Sequence, residues 1–248
     1  MIVIKSESEI SRMRVAGKIV RGALDLAKEM VKPGVNTLEI DCAVEEYIKS
    51  KNAIPSFKGY GGFPGSACIS LNEEVVHGIP SLQRVLQEGD IVGIDVGAII
   101  DGFHGDAAET FPVGVIDEKV CRLLQTTSQS LLLGIGAAVV GNRISDISWA
   151  VQSHAQEHGF SVVESFVGHG IGKEMHEDPP VPNFGKPGRG PKLRAGMTLA
   201  IEPMLNMGGY EVYVMPDKWT VKTSDGSLSA HFEHTIAITE NGPEILTI

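Results

Sequence analysis

The sequence predicts an α/β fold built from two duplicated halves, and three observations carry that prediction. Apolar residues make up 42% of the 248 residues, an ordinary share for a globular chain with a sizeable core. Helix-period and strand-like segments alternate along the chain. Third, an internal repeat appears when the chain is displaced by 107 residues. Gly34-x4-Glu39-Ile40-x2-Ala43-Val44 then falls on Gly141-x4-Asp146-Ile147-x2-Ala150-Val151. Leu86-x2-Gly89-x4-Ile94-Asp95 falls on Leu193-x2-Gly196-x4-Ile201-Glu202 in the same register. One such match is within reach of chance, but two in one register indicate duplication. The expectation is one domain, 1–248, with pseudo-symmetric halves of about 1–112 and 113–248 and a functional cleft between them.

The elements follow in order. Ser6-x-x-Glu9 matches a capping box, and Ile10, Met13, Ala16, Ile19, Val20 and Ala23 recur at helical spacing until Pro33-Gly34. A second helix is expected from Thr37 to Lys51, and two more over Glu118–Val139 and Ile144–His158. Strands are expected at Ala67–Leu71, Ile91–Val96, His104–Val113, Ser161–Val167, Met197–Leu205, Glu211–Val214 and Ala230–Thr239. Asp101-Gly102 is a two-residue hairpin signal. The Pro- and Gly-rich stretch from Pro179 to Pro191 reads as a loop.

The charge balance is acidic, 21 Lys+Arg against 31 Asp+Glu for a formal −10. No cation excess is available to meet phosphates, so neither stable nucleic-acid binding nor an anionic membrane surface is expected. No apolar run is long enough for a membrane helix, and the N-terminus lacks a basic start followed by an apolar signal core. Cys42, Cys68 and Cys121 are odd in number and far apart, so neither a disulfide framework nor a Cys-x-x-Cys clip is expected, and a reducing cytoplasm is.

Two carboxylates stand in otherwise apolar strands, Asp95 in Ile91–Val96 and Glu202 in Leu199–Met204, at equivalent positions of the repeat. A buried carboxylate must be paired, protonated or bound to metal. A cap or an arginine partner is one reading, and symmetric recurrence favours metal. If Asp101-Gly102 is the hairpin turn, residue 100 pairs with 103, Asp95 pairs with Ala108, and Asp106 shares a face with Asp95. Glu233 opens another strand-like run. Carboxylates with a few histidines suit Mn, Fe, Co or Zn. His77, His169 and His176 have suggestive settings. His104, His154, His158, His231 and His234 are given ordinary structural or surface roles, although His154 and His158 are four apart on a predicted helix. Zinc-helix, serine-elbow, phosphate-loop and dinucleotide patterns all fail.

Seven stretches, in order, resemble the type I methionine aminopeptidases: Asn72–Pro80, Gly89–Gly97, Gly105–Ala108, Gly168–Gly172, Glu174–Glu177, Ala200–Pro203 and Phe232–Thr235. The resemblance spans nearly the whole chain. It implies the pita-bread fold, two pseudo-symmetric α/β halves with antiparallel sheets flanked by helices around a central site for two divalent metal ions. It assigns Asp106 and Glu233 as bridging ligands, Asp95 to one metal, and His169 and Glu202 to the other. Glu202 is also the implied proton shuttle, and His77 and His176 match the catalytic histidines. Tyr60, Phe63, Cys68 and Trp219 are implied to line a methionine pocket, together with His77 and His176. Phe57, Phe63 and Met175 depart from common residues of the family there. No long insertion marks the second half, which disfavours type II relatives, and no large preceding domain is expected, which disfavours prolidases. The resemblance implies a cytoplasmic, monomeric, single-domain hydrolase that removes initiator methionine from nascent polypeptide N-termini when the second residue is small. Its partners would be those N-termini and, transiently, the ribosome. An Xaa-Pro peptidase and a non-enzymatic binding protein are the alternatives.

Overall fold

Capping chemistry sets the four long helices close to where the sequence places them. A computed structural model describes residues 1–248. The helix α1 spans Glu7–Met30, with the Ser6 hydroxyl accepting from the Glu9 N–H and the Glu9 carboxylate accepting from the Ser6 N–H. The helix α2 spans Thr37–Ser50 and is capped by Asn36, whose Oδ1 accepts from the Glu39 N–H. Then come α3, Glu118–Ala137, capped by Asp117, and α4, Ile144–Glu157, where Asp146 accepts from the Arg143 N–H.

The strands are β1 Ile54–Pro55, β2 Ala67–Leu71, β3 Glu74–Val76, β4 Ile91–Ile100, β5 Phe103–Pro112, β6 Ser161–Val162, β7 Gly168–Gly170 and β8 Glu177–Val181. They continue with β9 Thr198–Ile201, β10 Met204–Asn206, β11 Val212–Val214, β12 Val221–Thr223, β13 Ser229–His231, β14 His234–Thr239 and β15 Gly242–Ile245. Strand β4 pairs with β1, β2 and β5, all antiparallel. A second antiparallel sheet runs β15-β14-β9-β7-β8. One face of α1 and α2 (Val20, Leu24, Ile40, Val44, Ile48) packs on Ile69, Val92, Ile94 and Val96 of the first sheet. Likewise Leu131, Ile135, Ile144 and Ile147 of α3 and α4 pack on Leu199, Ile201, Ile236 and Ile238 of the second.

The repeat is realised bond for bond. Asn36 bridges Val85, and 107 residues later Arg143 bridges Lys192. The Leu86 N–H donates to the Val35 carbonyl, and the Leu193 N–H donates to the Asn142 carbonyl. Gly34 and Gly141 have φ of 92° and 95°, a region open to glycine but costly for other residues.

Several expected strands are shorter than the sequence suggests, for a local reason. Met197–Leu205 and Ala230–Thr239 are each broken, at Glu202-Pro203 and at Phe232-Glu233. Pro203 has no N–H to continue the ladder. The Met204↔His231 and Ile201↔His234 registers match Gly97↔Asp106 and Ile94↔Glu109, so β9–β10 and β13–β14 are interrupted counterparts of β4 and β5. Ser161–Val167 keeps only Ser161–Val162, and the start of the expected Pro179–Pro191 loop belongs to β8. The short β1, β3, β12 and β15 are not expected from the sequence, nor is β7, since the glycine-flanked His169 reads as part of a loop. All three cysteines are free.

Candidate metal centre and active site

Strand register brings the acidic side chains together. The hairpin turns at Asp101-Gly102, with Ile100 opposite Phe103, Asp95 opposite Ala108 and Asp106 opposite Gly97, as the two-residue loop requires. The second half meets the outer edge of β5. The Asp106 N–H donates to Thr235 Oγ1 (3.0 Å), and the Thr235 hydroxyl donates to the Asp106 carbonyl (2.8 Å). The Glu233 N–H donates to the Ala108 carbonyl (2.8 Å). Reciprocally, the His231 N–H donates to Thr110 Oγ1 (2.9 Å), and the Thr110 hydroxyl donates to the His231 carbonyl (2.8 Å).

These contacts place Asp95, Asp106, Glu202 and Glu233 around one point with His169. The His169 Nε2 lies 3.6 Å from Glu202 Oε1 and 4.0 Å from Asp106 Oδ2. The His169 Nδ1–H donates to the Gly170 carbonyl (2.8 Å), which leaves Nε2 as a lone-pair donor facing the acids. Asp95 Oδ1, Asp106 Oδ1 and Glu233 Oε1 are buried without a hydrogen-bond partner. Burial, with neighbouring negative charge, pushes Asp95 up to about 7 and both Asp106 and Glu233 well above the usual carboxylate range. Burial alone pushes Glu202 up to about 8. It also holds His77 and His169 down at about 4, so both imidazoles are neutral near pH 7.

Orphaned carboxylate oxygens beside a neutral, pre-oriented imidazole are the donor set a divalent cation satisfies. The ligand atoms of Asp106, His169 and Glu233 lie within 4.8 Å of one another, as do those of Glu202, His231 and Glu233. The residues present therefore fit metal, in two groups that share Glu233.

A cleft opens onto this cluster. Its apolar side is Phe57, Phe63, Cys68 and Met175, packed with Ile79 and Trp219. The Asp41 carboxylate on α2 accepts the Ser66 and Ala67 N–H groups and so pins the start of β2, which carries Cys68. Phe63 meets Trp219 edge-on at 5.2 Å. Tyr60 stands at the mouth, 46% exposed, with its hydroxyl 2.8 Å from His176 Nδ1. The His176 ring lies 4.3 Å from that of His169, tilted by 54°. His77 follows β3 with φ of 60°, uncommon outside glycine. The next residue, Gly78, holds it there: a Cβ would lie 2.2 Å from the Ile69 carbonyl oxygen.

Every proposed site residue lines this cleft: the four acids and one histidine of the proposed ligand set, His77, His176, and the four pocket residues. Four of the histidines given ordinary roles have them. His104 meets Ser56, His234 meets Thr247, and His154 and His158 lie on α4. His231 differs, being buried with Nε2 directed at Glu202 and Glu233. The signal for it was present: Asp106-x3-Thr110 and His231-x3-Thr235 have the same spacing.

Comparison with known proteins agrees with this geometry. Residues 11–240 match the model of metallopeptidase family M24. The methionine aminopeptidase of Clostridium acetobutylicum is 57% identical over 248 residues, 100% of this chain and 99% of that protein. Methionine aminopeptidase 1 of Bacillus subtilis is 52% identical, over 100% of this chain and 99% of its own. The crystal structure of methionine aminopeptidase from Thermotoga maritima superposes with a TM-score of 0.98 at 49% identity, covering 100% and 99% of the two chains. The chain thus belongs to metallopeptidase family M24, as a member of its methionine aminopeptidases with the pita-bread fold.

Proposed function

We propose that this protein removes the initiator methionine from nascent polypeptides whose second residue is small, using two divalent ions chosen from Co, Mn, Fe and Zn. The observation that carries the reading is the convergence of four carboxylates, Asp106 and Glu233 buried and Asp95 and Glu202 partly so, with His169 beside an apolar recess. Asp106 and Glu233 would hold both ions, Asp95 one, and His169 and Glu202 the other. When bound, the ions supply a water acidified toward neutral pH and a Lewis acid for the scissile carbonyl.

The remaining work falls to side chains. Glu202 takes the proton from the attacking water and returns it to the leaving amine. With the Tyr60 hydroxyl donating to His176 Nδ1, the His176 Nε2–H is free to donate to the developing oxyanion. His77 contacts the amide nitrogen of the breaking bond. Phe63, Cys68 and Trp219, with Phe57 and Met175, enclose the methionine side chain, and Tyr60 covers the entrance. No helix is long and apolar enough to cross a membrane. We place the enzyme in the cytoplasm as a monomeric, single catalytic domain that meets nascent chains in transient association with the ribosome.

The test is release of free methionine from Met-Ala-Ser, beside Leu-Ala-Ser and Met-Leu-Ser, after chelation and reloading with each metal. Metal-dependent release from Met-Ala-Ser alone is expected. Hydrolysis of Gly-Pro in its place would move the assignment to an Xaa-Pro peptidase, and no hydrolysis with any metal would overturn it.

A further inference from the structure

His231 lies outside the five-residue ligand set and outside the catalytic pair, yet the fold aims it into the same point. Asp106 and His231 are 125 residues apart, as are Thr110 and Thr235. Each threonine hydroxyl bonds both the N–H and the C=O of the opposite partner, Thr235 with Asp106 and Thr110 with His231. Their strand partners match too, Gly97 for Asp106 and Met204 for His231. His231 is thus the pseudo-symmetric counterpart of a residue at the heart of the site.

Its side chain is buried, and Nε2 has no hydrogen-bond partner. Such an atom is costly unless something nearby satisfies it. The nearest acid is Glu202, and its two oxygens face two different imidazoles. Oε1 lies 3.6 Å from His169 Nε2, and Oε2 lies 3.6 Å from His231 Nε2. Glu233 Oε2 is farther from His231, at 3.9 Å. If Oε1 is the oxygen that shares a metal with His169, Oε2 is the oxygen left to handle protons.

Resting on the function proposed above, we infer that His231 is a positioning residue for Glu202. Its Nε2–H donates to Oε2 and holds the carboxylate in the rotamer that keeps Oε1 toward the metal and Oε2 toward the attacking water. The present separation is about half an ångström beyond a hydrogen bond, a gap that a small rotation of the carboxylate closes. His231 transfers no proton in this scheme; its Nε2 lies within 4.8 Å of ligand atoms of Glu202 and Glu233, and we assign it to the second oxygen of Glu202 in place of a metal.

The experiment compares the wild type with His231→Gln, which keeps an N–H donor at similar reach, and His231→Leu, which removes it. Should Leu prevent folding, judged by circular dichroism, His231→Met supplies the donor-free side chain. Each protein is stripped, titrated with Co(II) to saturation, counted for bound metal and examined for its visible ligand-field spectrum, then assayed on Met-Ala-Ser. The donor-free variant should lose about 10- to 100-fold in kcat with KM within about twofold, and Gln should restore kcat to within about threefold of wild type. Metal count and spectrum at saturation should match the wild type in both. Full kcat without a donor, or Gln no better than Leu, overturns the inference. So does loss of one metal equivalent or an altered spectrum in the Gln variant, which would make His231 a ligand. A wild type that loads Co(II) but releases no methionine overturns instead the functional reading on which the inference rests.

Discussion

Thr235→Val tests how the two halves hold the metal centre. The substitution keeps shape and volume but deletes the hydroxyl that bonds both the N–H and the C=O of Asp106 (3.0 and 2.8 Å). Thr235 is fully buried, so water cannot replace it. Stranding one buried N–H costs about 1–3 kcal/mol, and losing the net bond to the carbonyl about another 1 kcal/mol. A total near 3 kcal/mol corresponds to a fall in Tm of about 6–12 °C for a chain of this size. Because Asp106 carries a proposed bridging carboxylate, its loosened backbone should also weaken metal binding by about 10- to 100-fold. Thr110→Val supplies the control. It deletes the reciprocal clamp on His231 (2.9 and 2.8 Å) and should cost similar stability while leaving Asp106 held. The assay is thermal melting of the chelator-treated proteins together with calorimetric titration of each with Mn(II) or Co(II). Equal metal affinities in the two variants would refute the claim that Thr235 acts through Asp106. An unchanged Tm in Thr235→Val would refute the reciprocal clamp altogether.

Other consequences are as direct. Asp106→Ala removes a carboxylate proposed to serve both ions; metal analysis should show most of the metal lost and methionine release abolished, and full activity would be incompatible with the assigned site. Stability of the chelator-treated protein should fall as pH rises from about 6.5 to about 8, followed by thermal melts. Asp95 and Glu202 titrate near 7 and 8 in the folded state, above their unfolded values, so folding retains protons that the unfolded chain has lost; His77, His169 and His234 titrate near 4, below their unfolded value of 6.5, so their opposing gain fades above that pH and the carboxylates prevail. Metal-loaded protein should lack that fall, and a Tm that rises equally with and without chelator would contradict the carboxylate shifts. Trp219→Ala, which opens one wall of the recess against Phe63, should raise KM for Met-Ala-Ser about tenfold or more with a smaller change in kcat; a selective loss of kcat would move Trp219 out of the pocket-lining role.

The first half was legible because its signals are local. A capping box starts α1, and Asp101-Gly102 sets the register that puts Asp95 opposite Ala108 and brings Asp106 onto its face. Register then does the rest, because side chains on a strand alternate strictly. Where the chemistry depends on distant contacts, the sequence says less. The short β3 and β12 exist because they pair with each other, Val76 opposite Val221, and no local pattern marks so distant a partner. The bond between Tyr60 and His176 is of the same kind, since nothing near either residue announces the other. The pocket residues came from resemblance alone, because an aromatic among apolar neighbours reads equally as core.

The second half resisted reading for a reason that also explains His231. Through Asn206 the repeat holds at 107 residues, and from Ser229 the offset becomes 125, because the chain between them replaces the tight turn at Asp101-Gly102. A search at the first offset cannot find the counterparts of Asp106 and Ala108. At the second, they are His231 and Glu233. Three symmetric position pairs then surround the centre: Asp95 with Glu202, Asp106 with His231, and Ala108 with Glu233. Had both members of every pair stayed acidic, six buried carboxylates would face one another, far more charge than two divalent ions neutralise. Ala108 removes one charge from the cluster, and an imidazole at 231 removes another while placing an N–H beside Glu202. Four carboxylates remain, the number that balances two dications. His231 is therefore where duplicated symmetry had to break for the site to hold two metals at neutral net charge, and returning an acid there, as His231→Glu, should lower metal-free stability near pH 8 more than near pH 5.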